Sequence, residues 1–173
     1  FTADAKLAKA MRELVNHGQD QHYHHVRVGI NARMDSLQAA VLLQKLLVFD
    51  AELEERQIVA NHYSELLQEL KQDASLVLPY IEENNRSAWA QYTIQVDSRD
   101  NVRKNLLSTG IPSAVHYPLV LPQQLAIKQE RVDCPNSLSL AQKVMSLPMH
   151  PYLDLKKQRR IVNALGKGLH SSE

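Results

Sequence analysis

The sequence predicts a helix-rich α/β chain with a small sheet, on three observations. Apolar residues recur at helical spacing through most of the first 72 residues. Beyond residue 75, short helical and strand-like segments alternate, as in a small α/β or α+β domain. Six of the seven prolines fall after residue 110, so the texture changes partway along the chain. With 173 residues and 44% hydrophobic content, the chain can bury one core, or one small domain with part of another. We divide it into 1–48, the tail of a larger domain; 49–74, a long connecting helix; and 75–173, a small C-terminal α/β domain.

The elements follow in order. Leu7, Ala10, Met11, Leu14 and Val15 predict a helix over 3–16, with Gly18 as its stop. Residues 17–30 are polar, His-rich and non-periodic, a loop with a short strand near 26–28. Asp35 is a good N-cap residue, and Gln38 stands three residues on, as in a capping box. The helix it opens, 36–47, is apolar almost all round and is expected to be buried on most sides, partly against another subunit. A second helix over 50–72 carries Val59, Tyr63, Leu66, Leu67 and Leu70 on one face. Tyr92-Thr93-Ile94-Gln95-Val96 alternates like a half-buried strand. A helix over 99–108 closes at Gly110, a strand spans 113–117, and helices cover 137–144 and 154–169, the last capped by Asp154.

Composition excludes several functional classes. Lys and Arg total 20 against 19 Asp and Glu, a formal charge of +1, which argues against nucleic-acid or membrane-surface partners. No apolar run approaches the roughly 20 residues of a membrane span. The single cysteine, Cys134, allows no internal disulfide and fits a cytoplasmic protein. The five glycines form no phosphate loop, so any phosphate must be held by single side chains and backbone groups. His22-Tyr23-His24-His25 has only Asp20 as a nearby acid, too few groups for a metal, and no metal site is expected. No G-x-S-x-G phrase supports a serine triad. The acid pairs Glu54-Glu55 and Glu82-Glu83 read as solvated faces.

Two pairs of residues stand out. Arg33 lies two residues before a helix N-cap in a polar segment, where its planar fork suits a carboxylate or phosphate. Asn31 can donate its amide to a phosphate oxygen; alternatively, Asn31 completes a turn and Arg33 pairs with a surface acid. His116 and Tyr117 precede Pro118, which holds residue 117 extended at a strand end, a common place for ligand contacts as well as for ordinary packing.

An ordered set of phrases resembles the C-terminal part of the DegT/DnrJ/EryC1/StrS family of sugar aminotransferases. The phrases are Asn16-His17-Gly18; Asn31-x-Arg33-Met34-Asp35-x-x-Gln38-Ala39-Ala40; Gln91-Tyr92-Thr93; His116-Tyr117-Pro118; and Ser146-Leu147-Pro148-Met149-His150-Pro151. The stretch from His17 to Gly29 is similar to the subgroup that aminates UDP-N-acetyl-3-keto-glucosaminuronate for O-antigen synthesis. The resemblance implies the C-terminal portion of a fold type I (aspartate aminotransferase-like) enzyme using pyridoxal 5'-phosphate. It implies a cytoplasmic homodimer with shared active sites, a UDP-linked keto sugar as substrate and glutamate as amino donor. Residues 1–48 would then be the tail of the cofactor-binding domain.

Carried over by motif, Asn31 binds the cofactor phosphate of the neighbouring subunit, and Arg33, His116 and Tyr117 contact the sugar end of the substrate. The sequence departs from the family pattern at Ala32, where many relatives carry Ser or Tyr. None of the ten lysines has the context of the Schiff-base lysine, which the resemblance puts before Phe1. The chain opens without Met, and Phe1-Thr2 reads as the end of a strand, so the expectation is an inactive C-terminal piece of a larger enzyme. The rival expectation is a non-catalytic dimerisation or ligand-binding module.

Overall fold

The computed structural model describes residues 1–70, 76–127 and 133–170. The chain forms two compact units, Phe1–Phe49 and Asp50–Glu173.

In the first unit, helix α1 (Ala5–Val15) is capped by Asp4, whose Oδ1 accepts from the backbone N–H of Lys6 at 2.8 Å and of Leu7 at 3.2 Å. Phe1 and Thr2 lie outside any strand; the Thr2 hydroxyl instead accepts from Asp4 N–H at 3.1 Å. At the other end His17, with φ 58°, takes the left-handed cap position, and Gly18 N–H reaches back to Glu13 O at 2.7 Å. Gly18 thus completes the stop that begins one residue earlier.

The segment read as a loop with a strand at 26–28 folds otherwise. Strands β1 (Gln19–Gln21) and β2 (His24–His25) form an antiparallel hairpin turning at His22-Tyr23. Residues 26–29 instead cross over Gly18, with Val26 N–H donating to Gly18 O at 2.9 Å. The crossing leaves no room for side chains: a Cβ on Gly18 would stand 1.8 Å from Arg27 O, and one on Gly29 2.1 Å from Gly18 N. Both positions are therefore restricted to glycine by backbone contact.

Helix α2 (Ser36–Gln68) is one helix of 33 residues, not two. Leu47-Val48-Phe49-Asp50 contains no glycine or proline, so nothing interrupts the hydrogen-bond ladder. Its first half is apolar but not buried: Leu37 is 83% and Leu47 78% exposed. An apolar side chain is buried only where another element covers it, and helical patterning does not specify which element does so. Its second half buries Val59, Ala60, Tyr63 and Leu67 in the core of the second unit.

That core lies on one face of an antiparallel sheet with strand order β3 (Leu76–Val77), β4 (Tyr92–Val96), β5 (Val144–Leu147). Alternation along β4 buries Tyr92, Ile94 and Val96 and turns Thr93 and Gln95 to the other face. Helices α3 (Arg99–Ser108) and α5 (Leu155–His170) add Val102, Leu106, Ile161, Val162, Leu165 and Leu169. Asp154 caps α5 through a 2.8 Å bond from Lys157 N–H. Helix α4 (Pro135–Lys143) starts two residues earlier than expected, because Pro135 fits the first helical turn. The expected strand over 113–117 is reduced to one bridge, Ala114 to Ser146. Pro112 and Pro118 flank it and contribute no N–H donors, which limits the ladder.

Buried polar groups are tied across elements. Tyr63 donates its hydroxyl to Pro148 O at 2.9 Å, and burial pushes its pKa upward. Gln158 Nε2 donates to Val59 O at 2.7 Å, joining α5 to α2. Removing the Tyr63 hydroxyl (Tyr63→Phe) leaves Pro148 O without that donor and should destabilise the protein by about 1–2 kcal/mol in urea unfolding, whereas Tyr63→Ala should cost about 3–5 kcal/mol. For the first unit, Gly29→Ala should open the crossing, measured as faster hydrogen exchange at the Ile30 and Ala32 amides; unchanged protection would show that the close approach is not needed.

Candidate functional site

Asn31 and Arg33 are held by the end of α1. Helix C-termini leave carbonyls without intrahelical partners, and here Leu14 O accepts from Ile30 N–H at 2.9 Å and Val15 O from Ala32 N–H at 3.0 Å. With Ile30 and Ala32 fixed in this way, Asn31 and Arg33 remain exposed. Arg33 Nε donates to Asn31 Oδ1 at 3.1 Å, which occupies one lone pair of the amide oxygen. The pair then presents mainly donors: the Asn31 amide N–H groups and the Arg33 terminal nitrogens. Such a set complements an oxyanion.

The neighbouring charges show which arginine is available. Arg27 Nε lies 2.8 Å from Glu13 Oε2, and Glu13 is only 5% exposed, so Arg27 is committed to a buried acid. Arg33 makes no ion pair with a carboxylate among the described residues, contrary to the surface-acid alternative. At the start of α2, Gln38 Oε1 accepts from Asp35 N–H at 3.1 Å, which is one half of the expected capping box.

The hairpin histidines have local roles. His24 Nδ1 lies 2.6 Å from Asp20 Oδ1, a contact that lowers the Asp20 pKa, and His25 Nδ1 lies 2.9 Å from His17 O. His22 sits in the turn and packs on Tyr23, so His22 and His24 do not share a strand face. Among the described residues, no group of three or more His, Cys, Asp or Glu could hold a metal.

In the second unit, the segment carrying His116 and Tyr117 docks on β5. Ala114 N–H donates to Ser146 O at 3.1 Å, and Ser146 N–H to Ala114 O at 2.8 Å. The Ser146 hydroxyl, on a residue 5% exposed, lies 2.9 Å from Thr93 Oγ1 and 3.3 Å from His116 Nδ1. The His116 and Tyr117 rings meet edge to face at 5.8 Å, and Tyr117 is 74% exposed. His116 lines two cavities. One, of about 400 Å³, includes Gln91, Ser113, Ser146 and Met149. The other, of about 670 Å³, includes Tyr117, Leu121, Cys134 and Leu140. A third cavity of about 640 Å³ lies between α3 and α5, lined by Lys156, Arg159 and Arg160, and contains no expected site residue. Arg160 Nη2 donates there to Thr109 O at 2.8 Å, supporting the end of α3.

The structure thus brings Asn31 to Arg33 in the first unit and His116 to Tyr117 in the second. Sequence reasoning missed Ser146 and Thr93 as partners of His116. Both lie within phrases already singled out, but 144–147 does not alternate clearly enough to be read as a strand, so its register with β4 was hidden.

Comparison with known proteins places the chain in a family. The profile of the DegT/DnrJ/EryC1/StrS aminotransferase family matches residues 1–166. The UDP-2-acetamido-2-deoxy-3-oxo-D-glucuronate aminotransferase of Pseudomonas aeruginosa is 47% identical over 165 residues, covering 95% of this chain and 45% of that protein. The UDP-N-acetyl-3-dehydro-alpha-D-glucosamine 3-aminotransferase of Acidithiobacillus ferrooxidans is 37% identical, covering 98% of this chain and 45% of its own length. The crystal structure of a family member from Brucella abortus superposes with a TM-score of 0.81 at 40% identity, over 95% of this chain and 44% of that one. The chain therefore spans about 45% of the length of the curated relatives it matches. By the family profile, the identity to these relatives and the shared helix-rich α/β fold, the chain belongs to the DegT/DnrJ/EryC1/StrS aminotransferase family.

Proposed function

We propose that the whole protein is a pyridoxal-phosphate-dependent aminotransferase that moves an amino group from glutamate onto a UDP-linked 3-keto uronate, serving O-antigen or related polysaccharide synthesis in the cytoplasm. The observation that carries this reading is the donor-rich pair Asn31–Arg33, in a chain 47% identical to an aminotransferase named for a UDP-3-oxo-glucuronate. The donor set suits the oxyanion end of the cofactor and the carboxylate of the sugar. When bound, the cofactor supplies the electron sink that carries the amino group between donor and acceptor.

In this reading the residues of the chain bind and orient. Asn31 donates its amide to the cofactor phosphate, in a site shared across a homodimer. Arg33, free of any acid in its own unit, engages the uronate carboxylate through its terminal nitrogens, combining charge with a forked pair of hydrogen bonds. His116 and Tyr117 offer ring N–H and hydroxyl groups to the sugar end, beside the cavities that His116 lines. The division into 1–48 as cofactor-domain tail, 49–74 as connecting helix and 75–173 as small domain belongs to the same proposal.

The exposed apolar half of α2 favours a second reading, a non-catalytic dimerisation or ligand-binding module. An assay separates the two. Full-length protein given the UDP-3-keto uronate and glutamate should release 2-oxoglutarate; a folded, cofactor-supplied protein that releases none would establish the module instead.

Arg33→Ala should lower kcat/KM for the uronate by about 10- to 100-fold, the range for losing a charged hydrogen-bonding partner. Arg33→Lys should recover only part of it, because lysine keeps the charge and loses the fork. An unchanged kcat/KM in Arg33→Ala would remove Arg33 from the substrate site. No lysine of these 173 residues serves as the Schiff-base lysine in this proposal, so the chain alone should transfer no amino group from glutamate; turnover by the isolated chain would overturn that assignment.

A further inference from the structure

We propose that Ser146 is a positioning residue: with Thr93 behind it, Ser146 donates its hydroxyl proton to His116 Nδ1 and so holds the imidazole as the Nε2–H tautomer, with that N–H presented to the ligand. The inference deepens the reading above and rests on it for the identity of the ligand. The starting point is a phrase that the proposed function leaves unused, Ser146-Leu147-Pro148-Met149-His150-Pro151.

The geometry is a short relay. Thr93 and Ser146 are directly paired in the β4–β5 register, so their side chains share the sheet face opposite the core. Their hydroxyl oxygens are 2.9 Å apart, and Ser146 Oγ is 3.3 Å from His116 Nδ1. The backbone bridge between Ala114 and Ser146 sets His116, two residues further on, toward the same face. Three elements thus converge on one hydroxyl.

Proton accounting among the protein groups favours one direction. Among the described residues, Thr93 Oγ1 and Ser146 Oγ have only these side-chain hydrogen-bond partners, and a neutral imidazole presents one N–H and one bare nitrogen. If His116 Nδ1–H donated to Ser146, Ser146 would donate to Thr93 and the Thr93 proton would have no side-chain acceptor among the described residues. In the opposite direction Thr93 donates to Ser146, Ser146 donates to Nδ1, and both hydroxyl protons are used. The second arrangement gives both hydroxyl protons and Nδ1 a protein partner. The two imidazole nitrogens diverge, so with Nδ1 held at Ser146 the Nε2–H points away from the relay as a donor. A donor is what the phosphate, carboxylate or hydroxyl oxygens of a nucleotide uronate require.

Two readouts on the full-length protein test this. Ring-¹⁵N spectra of histidine-labelled protein at pH 8.5 should show His116, assigned by its loss in His116→Ala, with Nε2 protonated and Nδ1 bare. Ser146→Ala should convert it to a mixture of tautomers, and Ser146→Thr, which keeps a hydroxyl, should restore the wild-type pattern. If Ser146→Ala does not fold, Ser146→Cys, a near-isosteric but weak donor, carries the same expectation. A His116 tautomer unchanged by loss of the hydroxyl would overturn the proposal.

The second readout is the affinity for UDP-N-acetylglucosaminuronate, measured calorimetrically. Ser146→Ala should weaken it about 3- to 10-fold, the range for one hydrogen bond, and should have no effect in a His116→Ala background. Equal weakening in both backgrounds would make Ser146 merely structural and overturn the proposal. If His116→Ala itself leaves the affinity unchanged, it is the substrate reading of His116 that fails, and the ring spectra still decide the relay.

Discussion

The pairing of β4 with β5 is the constraint on which the second unit depends. Side chains of a strand alternate between faces, so one register decides both what is buried and what is presented. With Tyr92 opposite Leu147 and Ile94 opposite Met145, four apolar side chains enter the core together, and Thr93 and Ser146 meet on the other face. A slip of one residue would put Thr93 and Gln95 into the core and Tyr92 and Ile94 outside. Each buried aliphatic or aromatic side chain is worth about 1.5–3 kcal/mol relative to exposure, so the slipped register is strongly disfavoured. The placement of His116 follows from the same choice, because Ala114 bonds to the backbone of Ser146.

Core and site are also joined through α2. The Tyr63 ring lies 5.0 Å from that of Tyr92 within the core, and its hydroxyl holds Pro148 O, directly after β5. Ser64, the next residue, pairs with the Tyr92 hydroxyl at 2.9 Å. One turn of helix therefore steadies both strands that carry the relay, and it does so with buried polar contacts that are costly to leave unmade. The site side chains can stay exposed because the backbone beneath them is fixed.

Much of this was legible in the sequence, for reasons tied to particular residues. Helix α3 was read with its observed bounds, with Gly110 marking its close. Strand β4 was read from strict alternation, and the start of α5 from Asp154 as its cap. Failures came where a local pattern had two solutions. Leu47-Val48-Phe49-Asp50 looked like a junction, yet nothing there breaks a helix. The hairpin at 19–25 is built of Gln, Asp and His, residues without a strand-like apolar pattern, and is organised by the glycine crossing at 18 and 29 instead. The first half of α2 is exposed within this chain, since an apolar face identifies a surface and not the element that covers it.

The candidate site shows the same division. Sequence reasoning singled out Arg33 and gave no role to Arg27, a cation six residues earlier. The fold supplies one, since Arg27 is drawn to Glu13, an acid too buried to be left without a countercharge. That pairing commits Arg27 and leaves Arg33 as the cation of the segment without an acid. A buried acid on α1 therefore selects, by its own need for charge compensation, which arginine remains available to an anionic ligand.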